Sequence, residues 1–383
     1  MISVVAPGKC TASIQLPSSK SISNRVLIIR ALTESPAEVF NLSVCDDTEV
    51  LRKALSSQSE EIDVGAAGTA LRFLTAYYAI MPGIHRLKGS HRLMERPMAP
   101  LIDALQQLGA SIDFPVIRGS RLSGGRVVLR GDISSQFVSA LLLIGPMLPL
   151  GLHIEMVGRI VSRPYIELTL HLMRVFGADA CFISSHGLFV APGRYCSKSF
   201  EVEADWSAAS YWYAMMGLND GFKFHFPGLL SSSVQGDRII VELMKYEGEV
   251  LVHDFTETPD IVQTMAVYCV LKGMRFEFSG LQSLRVKETD RLVALQTELA
   301  KWGYCLSVAD ATLCWHGERC NPSDEPIETY GDHRMAMAFA IGAVVGKVVR
   351  IAHPEVVSKS YPFFWKDLQE VGFMINGEES CGS

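Results

Sequence analysis

The run Leu168-Thr169-Leu170-His171-Leu172-Met173-Arg174-Val175-Phe176-Gly177-Ala178-Asp179-Ala180-Cys181-Phe182-Ile183 changes its hydrophobic period halfway along. Up to Phe176 the apolar residues recur at helical spacing, as on a helix with one buried face. Beyond Gly177 the period falls to that of a short strand. Gly177 itself suits the position just past a helix end, where φ is positive and a Cβ would be strained.

The same helix, glycine and strand recur along the chain. Residues 101–108 end at Gly109 before 110–114, and residues 238–246 end near Gly248 before 249–252. Residues 292–302 end at Gly303 before 304–308, and 365–371 end at Gly372 before 373–375. A weaker copy leads from 51–55 to Ile62-Asp63-Val64. Irregular spacing excludes a tight solenoid. Six units in a chain of 383 residues predict two similar α/β domains of three units each. The pattern breaks at 192–203, so the first domain is expected at 13–199 and the second at 200–383 with 1–12.

Hydrophobic residues make up 48% of the chain and charged residues 20%, which excludes disorder. A net charge of −6 argues against a nucleic-acid or membrane-surface partner and makes local cation clusters informative. Nine cysteines, odd in number and without a C-x-x-C pair, give no zinc or disulfide framework. The apolar runs 137–152 and 335–345 are broken by Gly145, Pro146 and Pro149 or stopped by Gly346-Lys347, and are expected in the core. No secretory signal stands at the N-terminus, and the expected location is the cytoplasm.

Polar and cationic groups gather at expected helix starts. Pro17-Ser18-Ser19-Lys20-Ser21-Ile22-Ser23-Asn24-Arg25 precedes an apolar run, and Gly65-Ala66-Ala67-Gly68-Thr69-Ala70-Leu71-Arg72 offers small residues and a cation. Glu95-Arg96-Pro97, Ser134-Ser135-Gln136 and Ser162-Arg163-Pro164-Tyr165 stand before three further helices. In the second half come Pro259-Asp260, Arg285-Val286-Lys287-Glu288-Thr289-Asp290-Arg291, Tyr330-Gly331-Asp332-His333-Arg334 and Lys359-Ser360. At helical spacing Lys287 and Arg291 are expected on one face. Each cluster alone fits a capped helix with solvated charges. Together, helix dipoles and cations suit a small molecule carrying several negative charges. Neither H-E-x-x-H nor a Ser-His-Asp pattern is present, so nothing points to a metal or an acyl-enzyme.

Taken in order, these motifs resemble the 5-enolpyruvylshikimate-3-phosphate synthases (3-phosphoshikimate 1-carboxyvinyltransferases) over nearly the whole chain, from Lys20 to Lys359. The resemblance implies two similar α/β domains of three repeated units each, an inverse α/β-barrel-like plan with a substrate cleft between them. It implies transfer of the enolpyruvyl group of phosphoenolpyruvate to the 5-hydroxyl of shikimate 3-phosphate, with no metal or organic cofactor and as a monomer. Shikimate 3-phosphate would be held by Lys20, Ser21, Arg25, Ser134, Ser135, Gln136, Ser162, Tyr165, Asp260 and Lys287. Phosphoenolpyruvate would be held by Lys20, Gly68, Arg96, Gln136, Arg291, Arg334 and Lys359. Asp260 would be the base, with Lys20 and Glu288 in the proton transfers.

Ala66, Ser283 and Gly331 depart from the family pattern, each standing where an asparagine is usual, and the first domain is shortened. The sister transferase acting on UDP-N-acetylglucosamine is the nearest alternative. It places a cysteine in the loop before its Arg-Pro, and residues 89–96 contain none. A silent anion-binding relative is the other alternative, against which Lys20, Asp260 and Glu288 speak.

Overall fold

Three four-stranded sheets of one strand order carry the fold in the computed structural model, which describes residues 1–377. In the first, Glu61–Asp63 runs parallel to Gly83–Lys88, which pairs antiparallel with Val116–Gly119, and that strand pairs antiparallel with Ser111–Asp113. Gly125–Arg130, Leu152–Val157, Gly187–Val190 and Ala180–Phe182 repeat the order. So do Val250–Asp254, Arg275–Ser279, Thr312–Trp315 and Ser307–Ala309. A parallel pair needs a crossover, and in every copy a helix supplies it. A second helix then leads into an antiparallel hairpin, where the expected runs at 101–114, 168–183 and 292–308 fall. Those at 51–64, 238–252 and 365–375 lead instead into Glu61–Asp63, Val250–Asp254 and Met374–Gly377.

By contacts the chain divides into two compact units, Ser18–Glu203 and Met1–Pro17 with the described residues from Ala204 onward. Cys381 and the end of the expected second domain lie outside the described residues. The first unit holds α1 (Lys20–Ala31), α2 (Asp46–Ser56), α3 (Gly68–Ile80), α4 (His91–Met94), α5 (Ala99–Gln107), α6 (Ser135–Ile144) and α7 (Arg163–Val175). The second holds α8 (Trp206–Leu218), α9 (Ile240–Leu243), α10 (Val262–Lys272), α11 (Arg291–Lys301), α12 (His333–Ala340) and α13 (Phe364–Glu370). Strand pairing sets the crossings between units. Cys10–Ser13 lies parallel to Phe222–His225, while Phe200–Glu201 lies parallel to Val39–Phe40. The chain therefore changes unit after Pro17 and after Glu203, where the sequence places the changes at 12/13 and 199/200.

Each unit has its own apolar core. Residues 137–144 of α6 and all of α12 are buried, as their composition predicts. Gly177 and Gly109 take φ of 86° and 96°, the left-handed backbone expected after a helix. Gly248 does not. The helix expected over 238–246 is instead a 3-10 turn (Gly236–Ile239) followed by the short α9. Among the described residues no helix is long and apolar enough to cross a membrane.

Candidate active site

In the first unit, α1, α3, α6 and α7 bring their first turns to one end. Gln136, second in α6, donates from Nε2 to the Thr69 hydroxyl, second in α3, at 3.1 Å. One guanidinium, that of Arg25, donates to the carbonyls of Ser21, second in α1, and Tyr165, third in α7. Arg25 also donates to Thr169 Oγ1 at 2.7 Å and Ser139 Oγ at 3.2 Å, and lies over the rings of Phe73 and Tyr165. Burial pushes its pKa down to about 10, partly offset by Tyr165, so the charge survives at neutral pH.

Lys20 opens α1, with Nζ 3.0 Å from Oδ2 of the buried Asp47 in the first turn of α2. Gly68 opens α3 with Arg96 pressed against it, since a Cβ there would come within 2.8 Å of Arg96 Nη1. Arg72 donates to the carbonyls of Gly68 and Pro97. Among the described residues no side chain caps α1, α3 or α7, whereas Ser134 caps α6 by accepting from Gln136 N. The starts of α1 and α3 leave backbone donors for an anion, whereas in α7 Pro164 has no N–H and Tyr165 N donates to the Ser162 carbonyl. Ser135 and Ser162 are buried at this end, Ser162 with a left-handed backbone of φ 55°.

The second unit gathers Asp260, Lys287, Glu288, Arg291, Arg334 and Lys359 into one ionic network. Asp260 sits in the turn Pro259–Ile261 that leads into α10. Its Oδ2 lies 3.0 Å from Arg334 Nη2, and its Oδ1 lies 3.4 Å from Arg291 Nη1 and 3.7 Å from Lys287 Nζ. Glu288 bridges Arg291 Nη2 and Lys359 Nζ, each at 3.1 Å. Arg291 is sealed from solvent. Burial disfavours its charge, but Asp332, Glu288 and Asp260 outweigh that and raise its pKa. With Asp332 included, four cations face three carboxylates, an excess of one positive charge.

Lys287 and Arg291 meet through Asp260, not along a helix. Asp290 accepts from the N–H groups of Leu292 and Val293, so α11 starts at Arg291 and Lys287 lies outside it. Sequence reasoning gave no role to the carboxylates that hold the cations, passing over Asp47 and quoting Asp332 only as part of the run before Arg334. Both stand in or before the first turn of a helix, and that position was the available signal. Among the described residues no group of three or more His, Cys, Asp or Glu is placed to hold a metal.

A two-unit α/β enzyme with cations and helix starts arranged for small anionic substrates is the class these features define. The family profile of EPSP synthase (3-phosphoshikimate 1-carboxyvinyltransferase) matches residues 52–368. The chain is 48% identical to the 3-phosphoshikimate 1-carboxyvinyltransferase of Bacteroides fragilis, with 98% of each chain covered. It is 32% identical to that of Cellvibrio japonicus, with 94% of this chain and 96% of the relative covered. An EPSP synthase structure from Acinetobacter baumannii superposes with a TM-score of 0.77 at 18% identity, over 98% of this chain and 99% of that one, a likeness of fold. The chain belongs to the EPSP synthase family.

Proposed function

We infer that the chain transfers the carboxyvinyl group of phosphoenolpyruvate to the 5-hydroxyl of shikimate 3-phosphate and releases phosphate, a step toward chorismate and the aromatic amino acids. The observation that carries the residue-level reading is the pair Asp260 and Glu288, two carboxylates held among Lys287, Arg291, Arg334 and Lys359. Both substrates are anions with a carboxylate and a phosphate, and bidentate arginines suit both groups.

The chemistry needs a base, an acid and a stabilised leaving group. Asp260 takes the proton of the 5-hydroxyl as its oxygen bonds to C2 of phosphoenolpyruvate. A proton reaches C3 from the Glu288–Lys359 pair or from Lys20, giving a methyl group. Loss of a methyl proton to the same groups then restores the double bond as the bond from C2 to the phosphate oxygen breaks, and phosphate leaves with the proton that Asp260 had taken. Arg291, Arg334 and Arg96, with the backbone at Gly68, hold the carboxylate and phosphate of phosphoenolpyruvate. Lys20, Ser21, Ser135, Ser162 and Lys287 hold shikimate 3-phosphate. The protein is proposed to work as a cytoplasmic monomer.

The test is phosphate release on mixing the two substrates, with each omitted in turn. Release that needs both supports the reading. Absence of release, or release with UDP-N-acetylglucosamine as the acceptor, overturns it.

A further inference from the structure

A buried carboxyl stands outside this scheme. Asp237 lies in the turn Gly236–Ile239 and is only 3% exposed. Its Oδ2 accepts the hydroxyl of Ser207, from the first turn of α8, while its Oδ1 has no hydrogen-bond partner among the described residues. The segment before it is fixed in place. Gln235 accepts from Trp206 N at 3.1 Å and donates to the Ala204 carbonyl at 2.8 Å. Asp237 is therefore held inward, at the start of α8.

The charges facing Asp237 come from three elements: Asp260 on the turn before α10, Arg334 at the start of α12, and Asp205 at the cap of α8. A buried carboxylate with an orphaned oxygen is costly, and a neighbouring carboxylate makes it more so. Burial first, then Asp260, pushes the Asp237 pKa up to about 7, against the pull of Arg334 and the Ser207 hydroxyl. Arg334 meanwhile lies 3.0 Å from Asp260 Oδ2.

We propose that Asp237 is a positioning residue that works in its neutral form and acts through Arg334 and Asp260. Uncharged, it leaves the Arg334 guanidinium to Asp260 and to the anionic substrate. Ionised, it adds a second anion that competes for Arg334 and repels Asp260. Affinity for phosphoenolpyruvate then falls as pH rises through neutrality. The proposal rests on the reading that Asp260 and Arg334 serve the transfer.

Asp237→Asn keeps the shape and cannot ionise, so KM for phosphoenolpyruvate and kcat are compared in wild type and variant across pH. The substrate's own titration cancels in the ratio. The expected ratio of wild-type to variant KM is near one at about pH 6 and about tenfold by about pH 8.5. A ratio constant with pH overturns the proposal. So does a folded variant that has lost kcat at every pH, because the charge would then be required.

Thermal unfolding gives a readout independent of activity. A carboxyl whose folded pKa is raised contributes stability that is fully present below its unfolded value, about 4, and is lost as pH rises to about 7. Asparagine does not titrate, so the melting temperature of the variant minus that of wild type should climb across this window. A flat difference overturns the proposal. If wild type releases no phosphate from the two substrates while the climb is seen, the functional reading fails and the neutral carboxyl stands.

Discussion

Arg291 Nε donates to Asp332 Oδ2 at 2.7 Å, and neither side chain is more than 2% exposed. The same carboxylate accepts from the backbone N–H of Arg334 at 2.9 Å and so caps α12. One buried aspartate thus sets a guanidinium from α11 and the first turn of α12 together. Both arginines are left aimed at Asp260, the group proposed to start the chemistry.

Asp332→Asn should therefore cost stability as well as function. Removing one partner of a buried ion pair costs about 3–5 kcal/mol. Glu288 and Asp260 still face Arg291, and asparagine can still cap, so a loss of about 3 kcal/mol in urea unfolding is expected. A loss below about 1 kcal/mol would mean that the pair contributes no more than an exposed one.

Gly68→Ala tests the start of α3. The added Cβ would stand 2.8 Å from Arg96 Nη1 and 3.3 Å from Arg72 Nη1. The Arg96 contact is the far end of a flexible side chain, so the guanidinium moves and the helix stays. KM for phosphoenolpyruvate should rise about tenfold or more, with kcat changed less and the melting temperature held. An unchanged KM would remove Arg96 from the substrate contacts.

Arg25→Lys separates a structural tie from a ligand contact. A guanidinium reaches Thr169, Ser139, Ser21 and Tyr165 at once, which the compact ammonium of lysine cannot do. Loss of these charge-assisted bonds between α1, α6 and α7 should lower stability by about 2 kcal/mol without any ligand present, even though Thr169 Oγ1 still bonds Ser139 and the Tyr165 carbonyl. If instead the melting temperature holds and only KM for shikimate 3-phosphate rises, Arg25 is a ligand contact and not a tie.

The architecture was legible where the signal is local. The period change around Gly177 and Gly109 marks a helix end and a strand within about sixteen residues, and the structure has both. The shared face of Lys287 and Arg291 was misread because Asp290 caps the next helix and turns the chain. Asp47 and Asp237 were illegible for a different reason. Each acts on a residue far along the chain, Lys20 and Asp260, and only tertiary packing brings them together and buries them. The crossings shifted because Cys10–Ser13 and Phe200–Glu201 find strand partners more than a hundred residues away.

Glu288→Gln and Asp260→Asn should each separate proton transfer from binding. Glu288 lies 3.1 Å from both Lys359 Nζ and Arg291 Nη2, and glutamine keeps that length and one acceptor oxygen but neither gives nor takes a proton. General acid–base catalysis is worth about 10²–10⁴ in rate, so kcat should fall by that range with KM changed only a few-fold. Asp260→Asn should show the same loss of kcat with an added sign. The carboxylate competes with the substrate for Arg334 Nη2, 3.0 Å away, and neutralising it leaves that guanidinium less satisfied. KM for phosphoenolpyruvate should then hold or fall while kcat collapses, the opposite split from Gly68→Ala. Turnover near wild type in Asp260→Asn would remove it as the base, and a rise in KM with kcat intact would make it a substrate-holding group.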